Sequence, residues 1–360
     1  MTTMSNSDAY DVLTERLTFP GSTRLRSVLE TLMTPDQARM AEALPGSISE
    51  VAEKTRIPED DVRQGLEELY RKGVVFAKGD FTNREYYRFA RSIVQLHDAA
   101  QASRELDPER DRAFFLQWRD FCNEEMYPRL AAIFTGLTSP LSRIVPAYNA
   151  IKDLSGILPF EDFHELLKAQ DLIAVVPCSC RLRTTSVGEQ CEHTAETETW
   201  HCLQFGRSAE YVISRGSGKK LTAEDALELC DAIEQDGLLH VWPNNAGMTG
   251  VNTSCQCCRD CCENYVSVDR AALSIGTTWQ KSRYEAYVAD LDSCTGCQDC
   301  VDRCQFDAIE MVKAAGSKRL KAAIDPEKCF GCGACVVGCP PESLKMRVVR
   351  PPEFIPGAVA

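Results

Sequence analysis

Two runs of four cysteines close the chain: Cys294, Cys297, Cys300 and Cys304, then Cys329, Cys332, Cys335 and Cys339, each spaced C-x2-C-x2-C-x3-C. Every cysteine of the first run recurs 35 residues later in the second. Four thiolates must converge on an iron–sulfur cubane, and a tight loop with this spacing supplies three of them. The chemistry expected of the C-terminus is therefore single-electron transfer.

A second concentration of thiols lies upstream. Cys255-Gln-Cys257-Cys258-Arg-Asp-Cys261-Cys262 holds five cysteines in eight residues, and Cys178, Cys180, Cys191 and Cys202 precede it. Adjacent cysteines on a regular element point to different faces, so a set of buried free thiols explains this density poorly. Metal binding is expected, as a tetrathiolate zinc or as a further iron–sulfur cluster. The Cys258-x2-Cys261 spacing serves either, and the cluster-binding repeat nearby favours iron–sulfur. The four ligands are expected mainly from the five-cysteine group, with Cys178, Cys180, Cys191 and Cys202 completing that site or forming another. His193 and His201 lie beside Cys191 and Cys202, although a lone histidine is more often a surface or core residue than a ligand. Cys122 and Cys230, isolated in helical patterns, read as small buried apolar residues.

The elements that must carry these thiols follow from local patterns. Leu172-Ile-Ala-Val-Val-Pro177 predicts a buried strand that delivers Cys178-Ser-Cys180-Arg181 at its end. Thr222-Ala-Glu-Asp225 predicts a capped helix closed by Gly237, with a strand following over Leu238–Trp242. At the other end of the chain, Ser47-Ile-Ser-Glu50 is a capping-box signal, and Thr55-Arg-Ile-Pro58 breaks the helix it opens. A second helix is expected from Pro58 to Gly73, with Val62, Leu66, Leu69 and Tyr70 on one face. Val74-Val-Phe76, a turn at Lys78-Gly-Asp80 and Tyr86-Tyr-Arg-Phe89 predict a hairpin. A further helix is expected from Asp107-Pro108, with Phe114, Phe115, Trp118 and Phe121 as a core stripe.

The expected fold is a multi-domain α+β protein: a helical domain over 1–135, a Cys-rich α/β domain over 136–283, a cluster-binding domain with two internal repeats over 284–348 and a tail over 349–360. Nineteen cysteines in a chain of 360 residues, bunched at metal-ligand spacing and preceded by no secretory signal, argue against a disulfide scaffold. No apolar stretch approaches a membrane span, and the expected location is cytoplasmic. The net charge of −13 opposes binding to nucleic acid and suits docking on a basic redox partner.

The helix, helix and hairpin over residues 25–90 resemble a winged helix-turn-helix, which implies a second helix that could enter the major groove. That helix carries Glu59, Asp60, Asp61, Glu67 and Glu68, so protein docking or homodimerisation is the expected role. The C-terminal runs resemble the two halves of a bacterial two-[4Fe-4S] ferredoxin. The resemblance implies crossed ligation: Cys294, Cys297 and Cys300 with Cys339 on one cluster, and Cys329, Cys332 and Cys335 with Cys304 on the other. It also implies that Gly296, Gly331 and Gly333 let backbone wrap closely round the clusters. Gln305 departs from the family proline after the fourth cysteine, which alters hydrogen bonding beside Cys304.

Gly216-Ser-Gly-Lys219 lacks the rest of a phosphate-binding loop, and no strand precedes a G-x-G-x-x-G. The expected function is an iron–sulfur electron-transfer protein, a subunit or partner of an oxidoreductase such as a flavoprotein. It relays electrons through two [4Fe-4S] clusters and a third iron–sulfur or zinc site. Alternatives are a redox-sensing regulator that uses the winged helix, and a reductase with its active site in the middle domain.

Overall fold

The computed structural model describes residues 8–189, 191, 200–244 and 252–355. It has two units: one comprises Met1–Arg129, Val176–Gln190 and Glu210–Lys219, the other Leu130–Val175, Cys191–Ala209 and Lys220–Ala360. The boundaries read from composition thus differ from the folded units. Cysteine density changes near residue 284, yet the residues before and after it pack into one body.

In the first unit, helices Thr23–Leu32 and Pro35–Ala43 precede helices Ile48–Thr55 and Glu59–Lys72. The expected capping box at Ser47 and Glu50 is present, and Arg56 ends that helix in the left-handed region. Glu59–Lys72 begins after Pro58 and ends at Gly73, with Val62, Leu66, Leu69 and Tyr70 buried. Strands Val75–Ala77 and Tyr86–Phe89 pair antiparallel, and Gly46–Ser47 adds a third strand. Glu59, Asp60 and Asp61 are exposed at the start of the second helix, where they complement the helix dipole.

The helix expected from Asp107 starts instead at Arg112. Asp107 accepts the N–H groups of Glu109 and Arg110, and Asp111 accepts that of Asp107. These local bonds offer the backbone an alternative to helix. The aromatic stripe is core, as Phe114, Phe115, Trp118 and Phe121 are all buried. Beyond it Cys122–Met126 forms a π-helical turn, which hydrophobic periodicity did not announce.

A seven-stranded sheet, most of whose residues belong to the second unit, has the order Trp279–Gln280, Ser142–Val145, Leu239–Pro243, Thr253–Cys257, Trp200–Phe205, Ile173–Pro177, Lys219–Leu221. Helices Phe163–Lys168 and Ala223–Gln235 cover it through Phe163, Leu167, Ala226 and Cys230, which pack against Val145, Val175, Phe205 and Trp242. In the second unit, two antiparallel pairs form the frame of the C-terminal repeat: Tyr284–Val288 with Leu344–Val348, and Ile309–Lys313 with Leu320–Ile324. Among the described residues, no helix is long and apolar enough to cross a membrane.

Glu234 ties the short helix Tyr148–Ile151 to the sheet strand Leu239–Pro243. It is buried, accepts the N–H groups of Tyr148 and Asn149 at 2.6 and 3.0 Å, and lies 3.1 Å from His240 Nε2. Burial alone would raise its pKa, but the contacts with His240 and Asn149 outweigh it and hold the carboxyl below the ordinary 4.5. A depressed carboxylate stabilises the fold fully above the ordinary value, and that stability is lost as pH falls through the lower folded value. Glu234→Gln should cost about 1–3 kcal/mol near neutrality. The gap to wild type in denaturant midpoints, measured from pH 7 down to 3.5, should close on the acid side; a gap independent of pH would show that the charge is immaterial.

Candidate metal centres

The eight cysteines of the repeat line two cavities. One is lined by Cys294, Cys297, Cys300 and Cys339 together with Met311, Ala322 and Leu344. The other is lined by Cys304, Cys329, Cys332 and Cys335 together with Ala308, Ile309 and Ile324. Each cavity therefore takes three thiols from one run and the fourth from the other. Short helices Asp299–Asp302 and Ala334–Val337 carry the third cysteine of each run and pack against each other.

The surroundings suit a thiolate-bound inorganic cluster. Burial raises Cys294, but the N–H groups of Ala322 and Gly296 and the charge of Lys321 bring it below the ordinary thiol value. Burial and the neighbouring Cys339, Cys297 and Cys294 push Cys300 up to about 11. Burial, with help from Cys329 and Cys304, raises Cys332 to about 12. Thiols crowded this way resist ionising together unless a cation shares the site, and bound metal deprotonates its thiols outright. Cys297 is the one exposed thiol of the eight, so the cavity it lines is the closer of the two to solvent.

The repeat extends to the backbone. Gly296 and Gly331 have φ of +74° and +70°, Gln298 and Gly333 have +79° and +80°, and Asp307 and Glu342 have +52° and +51°. Gly331 is forced by more than its dihedral, since a Cβ there would come within 2.1 Å of Tyr284 O. Gly296 and Gly331 thus admit the carbonyls of Leu320 and Tyr284, and Gly333 admits the side chain of Ala150. Gln298 pays the left-handed cost that glycine avoids at position 333. Gln298→Gly should accordingly stabilise the protein by about 0.5–1 kcal/mol, read as a rise in denaturant midpoint; a fall would show that the glutamine side chain makes a compensating contact.

Gln305 explains its own departure from proline. Its Oε1 accepts the Arg259 N–H at 2.7 Å, its Nε2 donates to Gly237 O at 2.7 Å, and its carbonyl accepts from Tyr265 Oη at 2.5 Å. The side chain is buried at 2% exposure. Arg303 works beside it, donating to the carbonyls of Ala334, Gln235 and Glu234. These two residues, on either side of Cys304, bind the repeat to the helix Ala223–Gln235 and to the five-cysteine segment. Sequence reading singled out Gln305 but missed its partners, because they lie far away in the chain.

The nine upstream candidates divide. Cys191, Cys258 and Cys261 come together with Asp260, their ligand atoms all within 4.8 Å of one another. The crowding of Cys191 and Cys258 raises Cys261 far above the ordinary thiol range. Cys257 contacts Cys255 and Cys262, and these contacts together with burial raise it well above that range too. Leu203 pairs with Ser254 and Gln204 with Thr253, so the next position of that register sets Cys202 opposite Cys255. Cys178 and Cys180 belong to the first unit, where Cys178 precedes helix Ser179–Ser186. His201 is buried, and His193 lies outside the described residues. Asp260 was overlooked in the sequence, although its place between Cys258 and Cys261 was the available signal.

Five basic residues of the middle segment, Arg181, Arg183, Arg207, Lys219 and Lys220, divide between interior and surface. Arg181 and Arg183 are buried, and Arg183 donates to His97 Nε2, Cys122 Sγ and Tyr127 Oη at 2.7, 3.4 and 2.5 Å. Cys122 is therefore packed as expected but also accepts a hydrogen bond. Arg207, Lys219 and Lys220 are exposed.

Residues 293–343 match the family model of the 4Fe-4S dicluster domain. The chain thus carries a ferredoxin-like iron–sulfur module at its C-terminus, of the class that transfers electrons. No curated protein and no solved structure matches the chain.

Proposed function

We propose that this protein is a single-electron relay with two [4Fe-4S] clusters, one held by Cys294, Cys297, Cys300 and Cys339 and the other by Cys304, Cys329, Cys332 and Cys335. The observation that carries the reading is the sorting of eight thiols into two adjacent cavities. Bound there, the clusters would accept and pass electrons one at a time, and the protein supplies thiolates, N–H groups directed at sulfur and an apolar shell that excludes water. Exposed Cys297 makes the first cavity the point of exchange with a redox partner, and the second cavity, anchored by Gln305 and Arg303, the inner station. The partner is a cytoplasmic oxidoreductase or a subunit of one. The winged-helix-like segment serves docking or dimerisation, since the face its second helix offers is acidic.

Anaerobically purified protein should contain about eight irons and eight sulfides for two cubanes. Reduction by dithionite should then give a paramagnetic resonance spectrum of two interacting clusters. Iron well below eight after reconstitution, or a spectrum of one isolated cluster, would refute the proposal.

A further inference from the structure

The upstream cysteines have a geometry unlike that of the repeat. Cys191 Sγ and Cys258 Sγ are 3.9 Å apart, and all four candidate ligand atoms of Cys191, Cys258, Asp260 and Cys261 lie within 4.8 Å. A tetrahedral ion bonded to sulfur at about 2.3 Å sets its sulfurs about 3.8 Å apart. In a cubane each thiolate sits on its own iron, so the sulfurs stand further apart by the width of the cluster. The repeat provides an internal yardstick: among the described residues, no three of its eight thiols come within 4.8 Å of one another.

We infer that Cys191, Cys258 and Cys261, with the Asp260 carboxylate, form a mononuclear tetrahedral site for a zinc-type divalent ion. The donor set supports this assignment, because three thiolates and a carboxylate are all ligands that zinc takes and leave none of its four positions open. So does the setting: Cys191, Cys258 and Cys261 are buried with Ile233 and Leu238 in one apolar cluster, a shell that suits a closed structural site. The neighbouring cluster-binding repeat had favoured a third iron–sulfur cluster, and the contraction of this group reverses that preference. Cys255, Cys257 and Cys262 are a separate set, since the metal claims their neighbours.

The site also has a mechanical consequence. Arg259 lies between two ligands of the ion, and its N–H is the group that Gln305 accepts. The ion would hold that loop rigid, and with it the residue that follows Cys304. It would thus brace the inner cluster without carrying electrons itself, since zinc has no redox chemistry.

The inference draws on the two-cluster reading only for the expected iron count, and zinc is read separately. Wild-type full-length protein, purified anaerobically and reconstituted with iron and sulfide, should contain one zinc beside the eight irons of two cubanes. Zinc-edge X-ray absorption should show three sulfurs at about 2.3 Å and one oxygen at about 2.0–2.2 Å. Cys258→Ser/Cys261→Ser should lose the zinc and keep its iron. Should that variant fail to fold, Asp260→Cys tests the same set by gain, converting the shell from three sulfurs to four. Iron near twelve with no zinc, zinc retained in the double variant, or a sulfur count unchanged in Asp260→Cys would overturn the inference. A low iron count with the expected zinc shell would instead overturn the two-cluster reading alone.

Discussion

Cys339→Ala should damage the cluster bound by the first cysteine run, not that of its own run. The crossed lining of the two cavities dictates the outcome, because Cys339 shares a cavity with Cys294, Cys297 and Cys300. Its paramagnetic resonance and Mössbauer spectra should coincide with those of Cys294→Ala, while Cys304→Ala should coincide with Cys329→Ala. Each single variant should lose between one and four of the eight irons of two cubanes, since alanine offers no ligand to the fourth iron. If Cys339→Ala instead resembled Cys329→Ala, each run would hold its own cluster and the crossed assignment would fail. The same crossing means that neither half of the repeat can complete a site alone.

Gln305→Ala should cost about 2–6 kcal/mol, because it strips partners from one buried and one part-buried backbone group at about 1–3 kcal/mol each. Those groups are the Arg259 N–H and the Gly237 carbonyl. Gln305→Pro, which restores the family residue, should be no better, because proline replaces neither bond. Anaerobic guanidinium unfolding of the cluster-loaded protein would measure the cost. A second effect is expected at the adjacent Cys304 cluster, whose resonance spectrum should shift while that of the Cys297 cluster stays as it is. A cost under about 0.5 kcal/mol, the size of an ordinary surface substitution, would show that the clamp is incidental.

The positions of the cluster thiols were legible in the sequence because their spacing is local. A C-x2-C-x2-C turn must curl its thiols inward whatever surrounds it, and the shared left-handed backbone at Gly296 and Gly331 repeats with the cysteines. The capping box at Ser47, the break before Pro58 and the helix closed at Gly73 were equally readable, each resting on bonds within a few residues. Where local side chains competed, as Asp107 and Asp111 do ahead of Arg112, periodicity set the helix start too early.

The upstream thiols show where such reading stops. Their density raised the expectation of a metal but did not name the residues that gather, since Cys191 meets Cys258 and Cys261 only after the sheet and the helix Ala223–Gln235 have brought distant segments together. Gln305 behaves alike: its oddness was visible beside the proline of the second run, but its reason was not, because both side-chain partners lie more than forty residues away. From the sequence one could read that eight cysteines near the C-terminus stand at the ligand spacing of a 4Fe-4S module, because ligand spacing within a turn is a property of local backbone geometry. How the other thiols divide, and which distant residues hold Gln305 beside Cys304, came from the tertiary structure, because those contacts depend on where separate elements pack.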